Sequence, residues 1–179
     1  MSTQADKPTV LIVGGGLGGL MLGALLEKAD ITYVIFERSS YVKPLGSAIM
    51  VGPNLMALFE QMNINKEFKA IGKPTFDCII GKDDMDVICK VDFRHTFEYT
   101  VYCNYIVGRP ALYGLLLRQI PPHNFLFNKR VLKIAENESG VKISTTDKST
   151  YDGHILVGAD GAYSAVRQRM YETLRRQTT

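Results

Sequence analysis

Hydrophobic positions in the first forty residues follow the order strand, helix, strand. Thr9 to Val13 is a short apolar and β-branched run, which is typical of a buried parallel strand. Leucines and alanines from Leu17 to Lys28 predict a helix, and Tyr33 to Phe36 is a second buried strand that ends before Glu37. This order predicts a βαβ unit of about thirty residues, the usual size of that motif.

The middle of the chain follows a different pattern. Leu55 to Met62 predicts a short helix with Asn54 as its N-cap. From about Lys73 to Val107 the apolar positions alternate over short runs, which predicts a strand-rich antiparallel insertion. Its predicted strands are Cys78–Ile80, Val87–Val91 and Phe97–Tyr102.

After this insertion the chain alternates again between helical and strand patterns. Pro110 suits the first turn of a helix from Ala111 to Ile120. The last predicted elements are strands at Asn124–Phe127, Val131–Glu136, Val141–Thr146 and His154–Val157, and a helix from Tyr163 to about Arg175. The fold class predicted is α/β: one Rossmann-like domain over residues 1–179 with an antiparallel β insertion.

Composition narrows the possible functions. A hydrophobic share of 46% and a charged share of 22% are ordinary for a globular protein. The net charge of +3 comes largely from arginines near the C-terminus, a pattern more typical of a solvated helix than of a nucleic-acid-binding surface. Three widely spaced cysteines favour reduced thiols and a cytoplasmic protein. No run approaches the ~18 apolar residues of a membrane span, and scattered histidines give no reason to expect a metal site.

The glycine-rich segment VLIVGGGLGGL carries the first candidate chemistry. Gly14, Gly16 and Gly19 fill the positions of a G-x-G-x-x-G motif between a strand and a helix. The first glycine permits a tight turn, the second lets a pyrophosphate approach the backbone, and the third allows close helix packing. The helix N-terminus adds free N–H groups and a positive dipole end.

Glu37 completes this motif at the end of the second strand, close to the expected spacing of ~20 residues beyond the last glycine. A carboxylate there accepts ribose hydroxyls and repels a ribose 2′-phosphate. The loop therefore predicts a bound dinucleotide, and NAD and FAD remain equally open from the loop itself.

Three segments resemble the FAD-dependent monooxygenases of the aromatic hydroxylase class, most closely the fungal ones of secondary metabolism. They are IVGGGLGGLMLGALLEKADITYVIFE, GRPALYGLLL and ILVGADGAYSAVRQRM. The resemblance implies that Arg109 contacts the flavin and that Asp160 and Gly161 belong to a segment that supports FAD. If the resemblance is set aside, Arg109 is interpreted as a surface residue at the start of a helix, and Asp160 is interpreted as a helix cap.

The resemblance implies a glutathione-reductase-type FAD fold and a monooxygenase. Such an enzyme hydroxylates or epoxidises a small organic substrate through a flavin hydroperoxide, with NAD(P)H as reductant. Because the cofactor carries this chemistry, we expect no catalytic side chain. The family's second acidic segment, Gly-Asp before a helix, has no counterpart after Arg176, so we expect a truncated architecture. A non-catalytic FAD-binding module and an NAD-dependent dehydrogenase are the alternatives, and the oligomeric state is left open.

Overall fold

A computed structural model describes residues 8–41 and 46–177. They divide into two compact units, formed by the described residues of Met1–Lys43 with Leu116–Thr179 and by those of Pro44–Leu115. The elements in chain order are β1 (Val10–Val13), α1 (Leu17–Lys28), β2 (Tyr33–Phe36), β3 (Ala48–Val51), α2 (Pro53–Gln61), α3 (Asn65–Ile71), β4 (Gly72–Thr75), β5 (Asp77–Gly81), β6 (Val87–Asp92), α4 (Arg94–Thr100), β7 (Asn104–Gly108), α5 (Arg109–Leu117), a 3-10 turn (Pro122–Asn124), β8 (Phe125–Leu126), β9 (Val131–Asn137), β10 (Gly140–Thr145), β11 (Thr150–Gly153), β12 (Ile155–Gly158) and α6 (Ala165–Gln177).

The first unit is built on a four-stranded parallel sheet with the order β12-β1-β2-β8. All four residues of β1 are buried, as expected for the central strand of a parallel sheet. Helix α1 packs closely on one face, because a Cβ added to Gly23 would lie 2.7 Å from Cδ1 of Ile35. The predicted βαβ unit and the α/β class are therefore confirmed.

A second, antiparallel sheet with the order β11-β10-β9 covers the other face of the parallel sheet. Val141 and Ile143 of this sheet share a buried cluster with Leu11 and Phe36. Successive side chains of a strand point to opposite faces, so Leu11 and Phe36 face away from α1 while their neighbours face it. The glycine loop therefore follows directly after a strand whose sheet is packed on both faces.

The second unit contains the antiparallel sheet β3-β7-β4 and the two-stranded hairpin β5-β6. Its core is aromatic: the rings of Phe59 and Phe68 have centroids 4.7 Å apart, and those of Phe68 and Tyr105 are 5.4 Å apart. The antiparallel character predicted for the middle of the chain is present in both sheets. Across residues 8–41 and 46–177, no helix combines the length and apolar character that a membrane crossing requires.

The predicted strand Phe97–Tyr102 is wrong, since most of this segment belongs to helix α4. A carboxylate oxygen of Asp92 accepts the N–H of Arg94 at 2.9 Å where the helix begins. No residue of α4 is buried, so its alternating aromatic residues face no sheet interior. Local hydrogen bonding, rather than hydrophobic period, decides the conformation here.

Helix starts also differ from the prediction. The N-cap of α2 is Gly52 rather than Asn54, and Pro53 takes the first helical position. Helix α5 begins at Arg109 rather than Ala111. Helix α3 and strand β3 were not predicted, because both are short and only partly apolar.

Candidate functional site

Two of the motif glycines are required by the close packing of backbone on backbone. Gly14 has a φ of +109°, and a Cβ added there would lie 2.4 Å from the carbonyl oxygen of Ala159. A Cβ added to Gly19 would lie 2.0 Å from the carbonyl oxygen of Gly14. The loop is therefore pressed against the segment that follows β12, and only glycine fits at either position.

Gly16 is different, because a Cβ added there meets nothing within 4 Å among the described residues. Gly16 is the N-cap of α1 and makes no side-chain cap, and the first turn Leu17–Leu20 holds no acidic residue. The first N–H groups and the positive end of the helix dipole therefore lie beside space that the described residues leave open. This is the environment that a pyrophosphate needs.

Glu37 is fixed by two backbone hydrogen bonds. Its Oε2 accepts the N–H of Gly15 at 2.8 Å, and its Oε1 accepts the N–H of Ser39 at 2.8 Å. Each carboxylate oxygen has a second lone pair, so both can also accept a hydroxyl hydrogen. The side chain is half-buried beside the glycine loop, where it can bind a ribose.

Asp160 follows β12 and adjoins the same loop, since a Cβ added to Gly14 would lie 2.8 Å from the backbone nitrogen of Asp160. One carboxylate oxygen caps α6 by accepting the N–H groups of Ala165 at 2.7 Å and Val166 at 3.4 Å. The other, Oδ1, is buried and has no partner among the described residues. Gly161 has a φ of +88°, which turns the chain toward the helix.

Arg109 belongs to the second unit, where it begins helix α5. Its N–H donates to the carbonyl oxygen of Ser47 at 3.0 Å. Its side chain packs against Gly46, where an added Cβ would lie 2.7 Å from Cδ of Arg109. Arg109 is thus held at a helix start as expected, and its contact with a flavin stays a prediction.

Two residues of the site were missed at the sequence level. Gly15 donates to Glu37, and a Cβ added to it would lie 2.4 Å from Cζ of Phe125. The uninterrupted run of three glycines was the available signal for it. Ser39 gave no signal, because only its backbone N–H is used.

Residues 7–179 match the family described as FAD binding domain, and the chain belongs to that family. The match covers both units and includes the glycine loop, Glu37 and the Asp160 segment. FAD is therefore the cofactor, and the choice between NAD and FAD that the loop left open is settled by the family.

The curated relatives are fungal enzymes. The FAD-dependent monooxygenase ausM of Penicillium brasilianum is 30% identical over 170 residues, which cover 94% of this chain and 36% of ausM. The FAD-dependent monooxygenase pynG of Aspergillus niger is 30% identical over 178 residues, 97% of this chain and 40% of pynG. The resemblance to FAD-dependent monooxygenases is confirmed, and the chain spans less than half the length of these relatives.

Solved structures share the fold. HpxO of Klebsiella pneumoniae, in complex with FAD and uric acid, has a TM-score of 0.79 at 24% identity, over 93% of this chain and 42% of that chain. The p-nitrophenol 4-monooxygenase PnpA of Pseudomonas putida has a TM-score of 0.79 at 22% identity, over 91% of this chain and 44% of that chain.

Proposed function

We propose that this chain is the FAD-binding part of an FAD-dependent monooxygenase that hydroxylates or epoxidises a small organic substrate, with NAD(P)H as the reductant. The observation that carries the proposal is the glycine loop itself. Its helix begins at a glycine that makes no side-chain cap, the residues that the structure describes leave the space at Gly16 open, and Glu37 is fixed beside it with spare acceptor capacity.

Each site residue has a role in this proposal. Gly14 and Gly19 shape the loop, Gly16 lets the pyrophosphate approach the N–H groups of α1, and Glu37 accepts the adenosine ribose hydroxyls. Asp160 and Gly161 lie at the carboxyl end of a parallel strand, where open α/β sheets bind ligands.

The chemistry belongs to the cofactor, which supplies the transfer of one oxygen atom from O₂ when it is bound and reduced. The chain's own residues bind and orient it, and we assign none of them a catalytic acid or base role. The role of Arg109 as a flavin contact rests on the resemblance of GRPALYGLLL to the family segment.

We further propose that residues 1–179 form one FAD-binding domain of the glutathione-reductase type, with a strand-rich insertion at about 73–107. The parallel sheet β12-β1-β2-β8 and the antiparallel sheet against its face support this assignment.

The variant Gly16→Ala tests the binding site. The added methyl group meets nothing within 4 Å in the described part of the chain, so we expect a retained fold and at least about a tenfold loss of FAD affinity in a titration followed by flavin fluorescence. Equal affinity of wild type and variant would contradict pyrophosphate binding at this loop. Tight NAD binding without FAD affinity in the wild type would instead favour a dehydrogenase.

Activity needs a separate test, because the chain spans 36% of ausM. NAD(P)H oxidation and O₂ uptake are measured on the FAD-loaded protein. Both reactions above the free-flavin background would support the monooxygenase, while tight FAD binding with neither would support a non-catalytic FAD-binding module.

A further inference from the structure

The residues around Glu37 are tied to the segment that follows β8. The N–H of Glu37 donates to the carbonyl oxygen of Leu126, and the N–H of Lys129 donates to that of Glu37, both at 2.9 Å. The N–H of Asn128 donates to the carbonyl oxygen of Ser39 at 3.0 Å. The backbone on both sides of the ribose-binding carboxylate therefore depends on where residues 126–129 lie.

This segment contains a tight turn that needs support. Asn128 has a φ of +57°, in the left-handed region that few residues other than glycine adopt. Such a conformation persists when surrounding contacts hold it. The N–H groups of Asn128 and of the next residue, Lys129, bond to Ser39 and Glu37 on either side of this turn.

The Lys129 side chain is anchored at the turn between β10 and β11. Its Nζ pairs with a carboxylate oxygen of Asp147, donates to Oγ of Ser149 at 3.1 Å, and lies 5.5 Å from the ring centroid of Tyr151. Only 17% of the side chain is exposed. The bond from Lys129 holds the pKa of Asp147 below its usual range, so the pair is charged at neutral pH.

A second path of contacts joins the same anchor to Glu37. The ring of Tyr151 packs edge-on against Phe36, with centroids 4.7 Å apart, and Phe36 immediately precedes Glu37. Lys129 thus contacts the end of β2 through its own backbone N–H and through the Tyr151 ring beneath its ammonium group.

We propose that Lys129 is a positioning residue for the ribose-binding carboxylate. Anchored by Asp147 and Ser149, it holds Glu37 in the position from which the carboxylate accepts a hydrogen bond from the adenosine 2′-hydroxyl. The inference rests on the proposed function, in which Glu37 accepts the ribose hydroxyls. Lys129 itself need not touch the cofactor.

The test compares ADP with 2′-deoxy-ADP, since the two differ only in the hydroxyl that Glu37 would accept. Dissociation constants for both are measured by calorimetry on the full chain. We expect wild type to prefer ADP, and Lys129→Met, which keeps the aliphatic stem, to lower that preference about fivefold by weakening one hydrogen bond. Lys129→Arg should restore much of the preference.

Lys142→Met is the matched control, because Lys142 of β10 also pairs with an aspartate, Asp152 of β11 at 3.2 Å, but on an exposed face. It should leave the preference unchanged. Asp147→Ala removes the oxygen that anchors Lys129 and should reproduce the effect of Lys129→Met. It serves as the test if the lysine variant does not fold.

The outcomes separate the two proposals. An unchanged preference in Lys129→Met, or an equal loss of affinity for both nucleotides, would overturn the positioning role alone. A wild type that binds neither FAD nor ADP would overturn the proposed function, and the positioning role with it.

Discussion

The glycines of the loop are constrained by different neighbours. At Gly14 the constraint is internal, because its φ of +109° and the carbonyl oxygen of Ala159 exclude a side chain. At Gly16 the described residues leave the space open, so the proposed constraint is the pyrophosphate. The motif spacing predicts both glycines, but only the structure shows that glycine is needed for a different reason at each position.

Alanine should therefore destabilise the protein much more at Gly14 than at Gly16. We expect Gly14→Ala to lower the free energy of unfolding by about 1–3 kcal/mol or more, from backbone strain and the clash with Ala159. Gly16→Ala should lower it by about 1 kcal/mol at most, because alanine is a poorer N-cap than glycine but adds no clash. Denaturant unfolding of the two variants measures this, and equal destabilisation of both would contradict the distinction.

The Lys129–Asp147 pair makes stability depend on pH. Because the pKa of Asp147 is lowered in the folded chain, its contribution is fully present above about pH 4, the unfolded value. The contribution is lost as the pH falls below 4 toward the folded pKa. The difference in unfolding free energy between wild type and Asp147→Asn should shrink on acidification from pH 7 to pH 3. A difference that grows would show the opposite linkage.

At the scale of elements, helix α6 has two side-chain caps with different further roles. Asp160 accepts the N–H of Ala165 at 2.7 Å, and Oγ of Ser164 accepts the N–H of Arg167 at 3.0 Å. Either cap stabilises the helix start, but only Asp160 has a buried oxygen left without a partner among the described residues.

Removing each cap should distinguish helix capping from cofactor binding. Ser164→Ala should cost about 1 kcal/mol of unfolding free energy and leave FAD affinity unchanged. Asp160→Ala should cost a similar amount and also weaken FAD binding. Chemical unfolding and flavin titration of both variants check this, and equal FAD affinity would leave Asp160 a helix cap only.

Burial accounts for the elements of the first unit that the sequence predicts most precisely. Strands β1 and β2 and helix α1 were predicted almost to the residue, because their apolar positions meet a core. Helix α4 has no buried residue, so its alternating side chains carried no information about a sheet face. The start of α2 depends on whether Asn54 or Gly52 is the N-cap residue. The spacing of apolar residues does not decide between them.

The candidate site was predicted to a similar extent and for a similar reason. The motif named Gly14, Gly16, Gly19 and Glu37, because a dinucleotide requires those residue types at that spacing. The backbone partners of Glu37 and the anchor at Lys129 follow from strand pairing between distant segments, which the sequence does not display.

At the scale of the whole molecule, cofactor binding and oxygen transfer are separate properties. Membership of the FAD-binding family covers residues 7–179, and the glycine loop, Glu37 and Asp160 all lie in the first unit. Binding of the adenosine and pyrophosphate groups can therefore be tested on this chain independently of oxygen transfer.

The most direct test is the visible absorption spectrum of the chain after incubation with FAD and removal of free flavin by gel filtration. We predict flavin bands that elute with the protein at about one FAD per chain, and their loss in Gly16→Ala with the fold retained. A folded wild-type protein that emerges colourless would contradict the account.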